Sequence, residues 1–340
     1  MRRVNVAVIG CGYIAEHAHI PNALSLPESK LIAVADIDEE RLKVVSKRFN
    51  IKNVYADYEK LLERSDVEAV IICTPTNTHA KIALASIEAG KHVFIEKPMA
   101  SSVEDCKRIV EASKRSGVKV MVGMQHRFLA NHRVAKRMIK RGDIGGIIYA
   151  EAHAETLTIK PEDGILLDYA VHLIDLILWY LDDLMVEKVA GFLHEIEKTT
   201  AKETGAILTL LFSNGLFAQI KAYWLRSISS WSAVDRYVKV IGTKGKIISE
   251  LTGPSLMVYR EGSLLNRLRG PYRIMPPKII NPYIPLTDSA YRLELEHFLE
   301  CIIRNREPEI NASEGLRVLQ IVEAARRSFD KGLFVSLSEI

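Results

Sequence analysis

The most constraining feature of this chain is a glycine turn close to its start. An apolar run, VNVAVI at residues 4–9, leads directly into GCGYIA at residues 10–15, where a helical pattern begins. In such a strand–turn–helix unit, the first glycine permits the tight turn and the second lets the backbone approach a pyrophosphate. The helix N-terminus then attracts the phosphate charge, and the small third residue allows close helix–strand packing. The turn predicts a dinucleotide-binding site at Gly10, Gly12, Tyr13 and Ile14.

An acidic residue ends the second apolar run. Asp36 closes the sequence LIAVAD, about 20 residues beyond the turn, where such units place the carboxylate that binds a ribose 2′-hydroxyl. Because its charge would repel a 2′-phosphate, NAD is expected as the cofactor rather than NADP. Arg41 follows shortly after and would soften that preference, although it also fits an exposed position on the next helix.

The first third of the chain alternates short apolar runs with helical patterns. The runs are VNVAVIG, LIAVAD, EAVIICT, KHVFIEK and KVMVG. Near-continuous runs rich in Val and Ile are typical of strands buried on both faces of a parallel sheet, and the intervening helices predict a doubly wound α/β arrangement. Since 340 residues exceed one ordinary core, we expect two domains, the first a Rossmann domain over residues 1–124.

After Gly123 the pattern changes to runs with partial alternation. These runs are IIYAEAHAE, VEKVAGFLHE, GAILTLLF, GLFAQIKAYW and YVKVIGT, and Ser213-Asn214-Gly215 separates two of them as a hairpin turn would. Helical patterns cover residues 131–141, 165–181, 290–304 and 312–328. The second domain, residues 125–340, is therefore predicted to be α+β with an open, mostly antiparallel sheet, and its last helix is able to return to the first domain.

Composition argues against several classes of protein. A net charge of +4 on 340 residues gives no reason to expect a nucleic-acid partner. Cys11, Cys73, Cys106 and Cys301 are far apart in the sequence, so neither a zinc site nor a disulfide framework is expected. No apolar run reaches about 18 residues, and the N-terminal run is too short for a signal peptide, so we expect a cytoplasmic protein without membrane partners.

Several further stretches resemble one protein family in their identity and order. They are TPTNTH at 74–79, EKP at 96–98, GMQHRF at 123–128, DYAVH at 168–172 and VIGTKG at 240–245. With the glycine turn, they make the chain similar to the glucose–fructose oxidoreductase, inositol dehydrogenase and MocA (GFO/IDH/MocA) family over nearly its whole length. The resemblance implies a Rossmann domain and a C-terminal α/β domain whose open sheet often forms oligomer contacts, so a homodimer or homotetramer is expected.

Three positions depart from residues that are common in the family. Ala170 stands where many members have glycine, Gln125 where many have asparagine, and Gly164 alone represents a glycine cluster. These departures leave the predicted fold intact.

The resemblance also implies the catalytic residues Lys97, Asp168 and His172. Hydride transfer from an alcohol needs a base for the hydroxyl proton and a positive group for the developing alkoxide. Imidazole titrates near neutral pH, which suits His172 for the first task, and Lys97 suits the second. Asp168 would bind a second hydroxyl or orient the imidazole.

The spacing of these residues agrees with such a role. Asp168, His172 and Asp175 are spaced i, i+4 and i+7, so a helix would place them on one face of an otherwise apolar segment. Taken alone, His172 would also fit a structural histidine and Lys97 a surface lysine, while Asp175 fits a structural role. A metal held by the three helix residues is the other alternative, but no metal is expected because no further ligand cluster accompanies them.

The resemblance places further residues against the cofactor, in the turn after the fourth strand and after the fifth and sixth strands. This set comprises Cys73, Thr74, Pro75, Asn77, His79, Glu96, Lys97 and Gln125. Glu96 would equally serve as a cap or an ion-pair partner. His79 would equally cap the next helix.

Two segments are candidates for substrate specificity. The first contains Tyr223, Trp224, Arg226, Trp231, Arg236 and Tyr237. Such residues suit stacking on a sugar or binding of an anion, and equally an aromatic core with interface arginines.

The second segment, residues 262–287, is basic and contains no acid. It contains Arg267, Arg269, Arg273 and Lys278. Since long loops in compact domains are often functional, it predicts an anionic substrate such as a nucleotide sugar or a uronic acid. An arm across a subunit interface is the alternative.

Together these features predict an NAD-dependent dehydrogenase that acts on a sugar, a cyclic polyol or a sugar derivative. Two alternatives stay open: a non-catalytic dinucleotide-binding regulator, and an enzyme that recycles tightly bound NAD in a net elimination or hydrolysis. Retention of Lys97, Asp168 and His172 together argues against the regulator.

Overall fold

The computed structural model describes residues 2–157, 163–181, 184–194, 203–225, 235–251, 255–260, 277–281 and 289–340. The chain divides into two compact units. The first consists of Met1–Gln125 and Thr287–Leu319, and the second of His126–Leu286 and Gln320–Ile340. Each unit has its own sheet.

The sheet of the first unit is wholly parallel. Its strands are β1 (Val4–Ile9), β2 (Ser29–Ala35), β3 (Val54–Tyr55), β4 (Ala69–Ile72), β5 (His92–Glu96) and β6 (Val120–Gly123). They lie in the order β3-β2-β1-β4-β5-β6. The order reverses direction between β1 and β4, and ligands of doubly wound sheets bind at the carboxyl ends of the strands at this point. The predicted Rossmann fold is confirmed.

The described helices include counterparts of the four predicted at residues 131–141, 165–181, 290–304 and 312–328. The helices are α1 (Ile20–Ser25), α2 (Glu39–Phe49), α3 (Tyr58–Leu62), α4 (Thr76–Glu88), α5 (Val103–Ser116), α6 (Ala130–Lys140), α7 (Val171–Tyr180), α8 (Ala290–Ile303) and α9 (Ala312–Lys331). Side-chain caps fix several starts: Asp38 accepts a hydrogen bond from the Arg41 N–H, and Ser102 from the Asp105 N–H. None of the described helices is long and apolar enough to span a membrane.

Two segments within the predicted helical stretches are π-helical. Ala15–His19 forms a π-helical segment between the glycine turn and α1, and Leu166–Ala170 forms another directly before α7. Single π-helical turns inside helices occur frequently at functional sites. The first segment contains His19 and the second contains Asp168.

The sheet of the second unit has nine strands and is mostly antiparallel, as predicted. Its strands are β7 (Ile147–Leu157), β8 (Val186–His194), β9 (Gly205–Phe212), β10 (Phe217–Leu225), β11 (Arg236–Gly242), β12 (Gly245–Glu250), β13 (Leu256–Arg260), β14 (Lys278–Ile280) and β15 (Val335–Ser336). Their order is β14-β13-β12-β11-β7-β10-β9-β8-β15. The predicted hairpin at Ser213-Asn214-Gly215 joins β9 to β10, which pair antiparallel.

The centre of this sheet departs from the antiparallel pattern, because β7 and β10 run parallel. An alternating sequence reports which face of a strand is buried, but not the direction of its neighbour. Helix α7 packs against β7, β10 and β11, and all ten of its residues are buried. A helix covered on all sides explains why VHLIDLILWY is apolar on every face except the one that carries His172 and Asp175.

Candidate functional site

The glycine turn needs its two glycines for different reasons. Gly10 has a φ of +91°, and a Cβ there would lie 2.7 Å from the Cys73 carbonyl carbon and 2.8 Å from the Thr74 nitrogen. Protein backbone therefore excludes any side chain at this position. At Gly12, by contrast, no atom of the described residues lies within 4 Å of where a Cβ would stand. The turn is thus packed against the carboxyl end of β4 on one side and open at its second glycine.

Asp36 is tied to this turn by its carboxylate. Oδ2 accepts a hydrogen bond of 2.6 Å from the Cys11 N–H, and Oδ1 accepts one of 2.9 Å from the Asp38 N–H. Nη1 of Arg41 lies 3.4 Å from Oδ2, and the Arg41 side chain is about half exposed. Arg41 is therefore both an exposed helix residue and a counter-charge to the carboxylate.

Two residues adjoin Asp36: Ile37 follows it in the chain, and Cys11 donates its N–H to the carboxylate. The side chain of Ile37 is 90% exposed, although it is apolar and follows a buried strand. It was not among the predicted cofactor residues, and its signal in the sequence is only its position after the acid. Burial, with the charge of Asp36, raises the pKa of the Cys11 thiol to about 12, so this thiol stays neutral.

The turn after β4 is held by a buried histidine. One ring nitrogen of His79 lies 2.8 Å from the carbonyl oxygen of Thr74, and the other lies 2.8 Å from that of Pro98. The ring thus links the turn after β4 to the one after β5. His79 does not cap α4, whose N-cap residue is Pro75. Asn77 is exposed on the first turn of that helix.

Glu96 ends β5 and is buried. Its Oε1 lies 2.6 Å from Nε2 of the buried His19, and its Oε2 accepts a hydrogen bond of 3.1 Å from the N–H of Lys97. Burial raises the pKa of Glu96, but the His19 hydrogen bond and the charges of His19 and Lys97 lower it more, so the net shift is downward. Of the two roles left open for Glu96, an ion-pair partner agrees with these contacts. Gln125 donates a hydrogen bond of 3.2 Å to the Tyr291 hydroxyl.

In the second unit, Asp168 and His172 are both buried on the π-helical segment and the start of α7. Oδ2 of Asp168 accepts a hydrogen bond of 3.3 Å from Nε1 of Trp224 on β10. The His172 ring meets the rings of His126 and Tyr169 edge-on, with centroids 4.6 and 5.6 Å apart. His126 was missed as a candidate, although it stands next to Gln125 in the GMQHRF stretch.

Asp175 has a structural partner. Its two carboxylate oxygens accept hydrogen bonds of 2.6 and 2.9 Å from the Arg127 guanidinium, and the two side chains are only 1% and 2% exposed. A buried carboxylate needs such a partner, because an uncompensated charge there is very costly. The predicted polar face of this helix thus contains an ion pair at its far end, in agreement with the structural role expected for Asp175.

The predicted specificity residues are only partly within the described chain. Arg226, Trp231, Arg267, Arg269 and Arg273 lie outside the described residues. The Arg236 guanidinium lies 5.2 Å from the Tyr169 ring centre, and the Tyr237 hydroxyl donates a hydrogen bond of 2.9 Å to Glu151. Lys278 is exposed on β14.

A six-stranded parallel sheet of this order, with a glycine turn bound to the acid that ends β2, defines a dinucleotide-binding Rossmann domain. The sequence pattern of the oxidoreductase family with an NAD-binding Rossmann fold matches residues 4–124, and that of the same family's C-terminal alpha/beta domain matches residues 136–337. The chain belongs to this GFO/IDH/MocA family. It is an NAD(P)-dependent oxidoreductase of the class that acts on CH–OH groups.

Individual relatives match the chain end to end. A scyllo-inositol 2-dehydrogenase (NAD(+)) of Bacillus subtilis is 29% identical over 98% of this chain and 96% of its own length. A myo-inositol 2-dehydrogenase of Thermotoga maritima is 26% identical over 99% and 97%. The crystal structure of an aldose-aldose oxidoreductase from Caulobacter crescentus superimposes with a TM-score of 0.85 at 24% identity, over 98% of this chain and all of that one, which shows the shared fold.

Proposed function

We propose that this protein is an NAD-dependent dehydrogenase that transfers a hydride between nicotinamide and a hydroxyl-bearing carbon of a sugar, a cyclic polyol or a sugar derivative. The names of its relatives support this substrate class, since two that match end to end are inositol 2-dehydrogenases. The observation that carries the proposal is that Asp168 and His172 are both buried in one helical stretch, where polar groups are costly without a task.

The proposed chemistry assigns one role to each residue. NAD, when bound, supplies the hydride acceptor. His172 takes the proton of the substrate hydroxyl and returns it in the reverse direction. The ammonium of Lys97 stabilises the negative charge that develops on the same oxygen. Asp168, held by Trp224, binds a second hydroxyl or orients the imidazole.

The cofactor residues divide between direct contacts and support. Gly12 leaves room for the pyrophosphate, and Asp36 binds the adenosine ribose. Cys73, Thr74, Pro75 and Asn77, with Glu96 and Gln125, are proposed to face the nicotinamide half. His79 acts through the two turns that it joins, because both of its ring nitrogens already contact backbone carbonyls. Tyr13, Ile14 and Arg41 complete the proposed set.

A spectrophotometric screen tests this proposal. The protein is mixed with NAD or NADP and a panel of inositols, aldoses, uronic acids and nucleotide sugars, and reduced cofactor is followed by absorbance. We expect turnover with one substrate group, lost in His172→Ala and retained in the control His194→Ala, whose side chain is exposed on β8. A protein that binds NAD but turns over no member of the panel would instead support the regulator or the enzyme with recycled NAD.

The preference for an anionic substrate is a second part of the proposal, and it comes from sequence alone. Residues 262–287 are basic and contain no acid. Replacing Arg267 and Arg273 by Ala is expected to raise the KM for an anionic substrate while leaving the KM for NAD unchanged. An unchanged substrate KM in that double variant would remove the anionic preference and leave the dehydrogenase itself intact.

The proposed oligomeric state comes from the family resemblance, which implies subunit contacts through the open sheet. We propose that the second unit's sheet forms the contacts of a homodimer or homotetramer. Exposed apolar side chains on that sheet, among them Phe192 and Phe217, support this surface. Light scattering after gel filtration measures the assembly, and a monomer at all concentrations would contradict it.

A further inference from the structure

The first unit contains a buried cluster of three ionisable side chains, one of which is Glu96, the residue before Lys97. It consists of His19 from the π-helical segment, Glu96 from β5 and Glu294 from α8, and their candidate ligand atoms all lie within 4.8 Å of one another. Resemblance and spacing singled out only Glu96 among them. The other two have no role in the proposed chemistry.

Glu294 is the anomalous member of this cluster. Its side chain is 0% exposed, and neither carboxylate oxygen has a hydrogen-bond partner among the described residues. Burial first, and the charge of Glu96 second, raise the pKa of Glu294 well above its ordinary value. An ionised, unpaired carboxylate at this depth would be prohibitively costly, so either a proton or a cation must neutralise it.

Among the described residues of β1, α1 and the segment Ala15–His19, no side chain other than His19 supplies a positive charge to this cluster. Helix α8 packs on β1, α1 and the π-helical segment Ala15–His19. Strand β1 and α1 carry no titratable side chain, and the segment adds only Glu16, paired with Arg48, and the exposed His17. On α8 itself, the Tyr291 ring meets His19 edge-on at 6.0 Å.

A proton explains the cluster better than a metal ion. Histidine ligands of metals usually donate their second ring N–H to an outer partner, whereas Nδ1 of His19 has none among the described residues. Structural zinc sites take four protein ligands, and this cluster offers three. A protonated Glu294 needs no further ligand, and its hydroxyl supplies a donor next to the carboxylate of Glu96.

We propose that His19 and Glu294 are positioning residues that keep Glu96 ionised beside Lys97, and that Glu294 does so by holding a proton at neutral pH. A second negative charge at Glu294 would repel that of Glu96 and drive it to take up a proton. Lys97 would then lose the negative charge of its neighbour. The link to catalysis rests on the proposed function of Lys97.

The protonation state is tested without any enzyme assay. Infrared spectra of the native protein and of Glu294→Gln at neutral pH are subtracted, because Gln has the shape of the neutral acid. We expect a carbonyl-stretch band of a protonated carboxylic acid in the native protein only, and metal analysis of the purified protein is expected to find no stoichiometric ion. A carboxylate band in place of the acid band, or a bound metal that Glu294→Gln abolishes, would overturn the proposal.

The pH dependence of thermal stability provides a second test of whether Glu294 is protonated. A carboxyl whose folded-state pKa is raised contributes stability that is fully present below its unfolded pKa and is lost as pH rises through its folded pKa. The melting temperature of the native protein is therefore expected to fall relative to that of Glu294→Gln as pH increases above the ordinary carboxyl range. Parallel curves for the two proteins would contradict a protonated Glu294.

The positioning role is tested by kinetics. His19→Ala is expected to lower kcat and shift its pH profile while the dissociation constant for NAD stays unchanged, and His19→Gln, which keeps a donor near the Nε2 position, is expected to restore most of both. If His19→Ala leaves the pH profile unchanged, the positioning role is wrong even if the infrared band is present. Absence of turnover in the native protein would instead count against the proposed function.

Discussion

The two units place their candidate functional residues by different means. In the first unit many of these residues lie in turns at the carboxyl ends of β1, β2, β4 and β5, and backbone groups hold two of them: Asp36 accepts from the Cys11 N–H, and His79 contacts two carbonyl oxygens. In the second unit, Asp168 and His172 lie within one buried helical stretch, and side chains hold them. A turn motif is visible in sequence, whereas side-chain partners from distant strands are not.

The largest expected effect concerns Lys97 and His172, which lie in different units and are proposed to serve one reaction. Lys97→Ala and His172→Ala are each expected to lower kcat by about 10²–10⁴-fold, because each removes a group that is proposed to act on the reacting oxygen. If both act on the same oxygen, the double variant should fall little below the worse single variant, since groups that act as a unit are not additive.

Steady-state kinetics on the four proteins measure this coupling, with His194→Ala as the surface control. NAD binding, followed by fluorescence, should be unchanged in His172→Ala. Multiplicative losses in the double variant would show that the two residues act independently, and the single-reaction assignment would then be wrong.

The second prediction concerns the side-chain scaffold of the second unit. Asp175→Ala removes the carboxylate that binds the buried Arg127 guanidinium through two hydrogen bonds, and it is expected to lower the free energy of unfolding by about 3–5 kcal/mol. Replacing both partners by apolar residues, as in Arg127→Met with Asp175→Leu, should recover much of that loss, because no buried charge is then left uncompensated. Urea unfolding measures both.

An exposed ion pair of the first unit provides the matched control. Arg108 and Asp105 on α5 lie 3.1 Å apart on the surface, and Arg108→Ala should leave the urea midpoint unchanged. If Asp175→Ala and Arg108→Ala lowered the free energy of unfolding equally, the buried ion pair would contribute no more than the exposed one. That result would contradict the scaffold role assigned to Arg127.

These contacts show why sequence predicts the two units unequally. The Rossmann fold and the glycine turn follow from near-continuous apolar runs and a short motif, each of which is recognisable within a short stretch of sequence. Arg127 and Asp175 are 48 residues apart, and Trp224 and Asp168 are 56 apart, so no local pattern reveals either pair. The parallel pairing of β7 with β10 escaped prediction for the same reason. His19 and Glu294 were missed because only the fold brings them to Glu96.

The third prediction separates the two glycines of the turn. Gly10→Ala is expected to lower the free energy of unfolding by about 1–3 kcal/mol, because its positive φ and the nearby backbone of Cys73 and Thr74 both disfavour a Cβ. Gly12→Ala should leave that free energy unchanged while raising the dissociation constant for NAD about tenfold, or about 1.4 kcal/mol. Urea unfolding and NAD titration, applied to both variants, provide each with its own control. Unaltered NAD binding in Gly12→Ala would show that no pyrophosphate approaches this residue.

The smallest expected effect concerns cofactor choice at Asp36. Arg41 lies close enough to this carboxylate to offset part of its charge. Arg41→Ala should therefore strengthen the repulsion of a 2′-phosphate and raise the ratio of the NADP KM to the NAD KM by up to about fivefold, the range of an exposed charge pair of under 1 kcal/mol. Arg108→Ala, which removes an exposed arginine from α5, is the control.

Salt dependence distinguishes this electrostatic effect from a direct contact. Because added salt screens exposed charges, the change in the KM ratio caused by Arg41→Ala should shrink between low and high ionic strength. If Arg41→Ala instead raises both KM values equally, Arg41 binds a part that NAD and NADP share, and the preference rests on Asp36 alone. Backbone N–H groups of Cys11 and Asp38 fix the Asp36 carboxylate, so the turn would still set the preference for NAD in that case. This outcome would agree with a first unit in which backbone groups hold the Asp36 side chain.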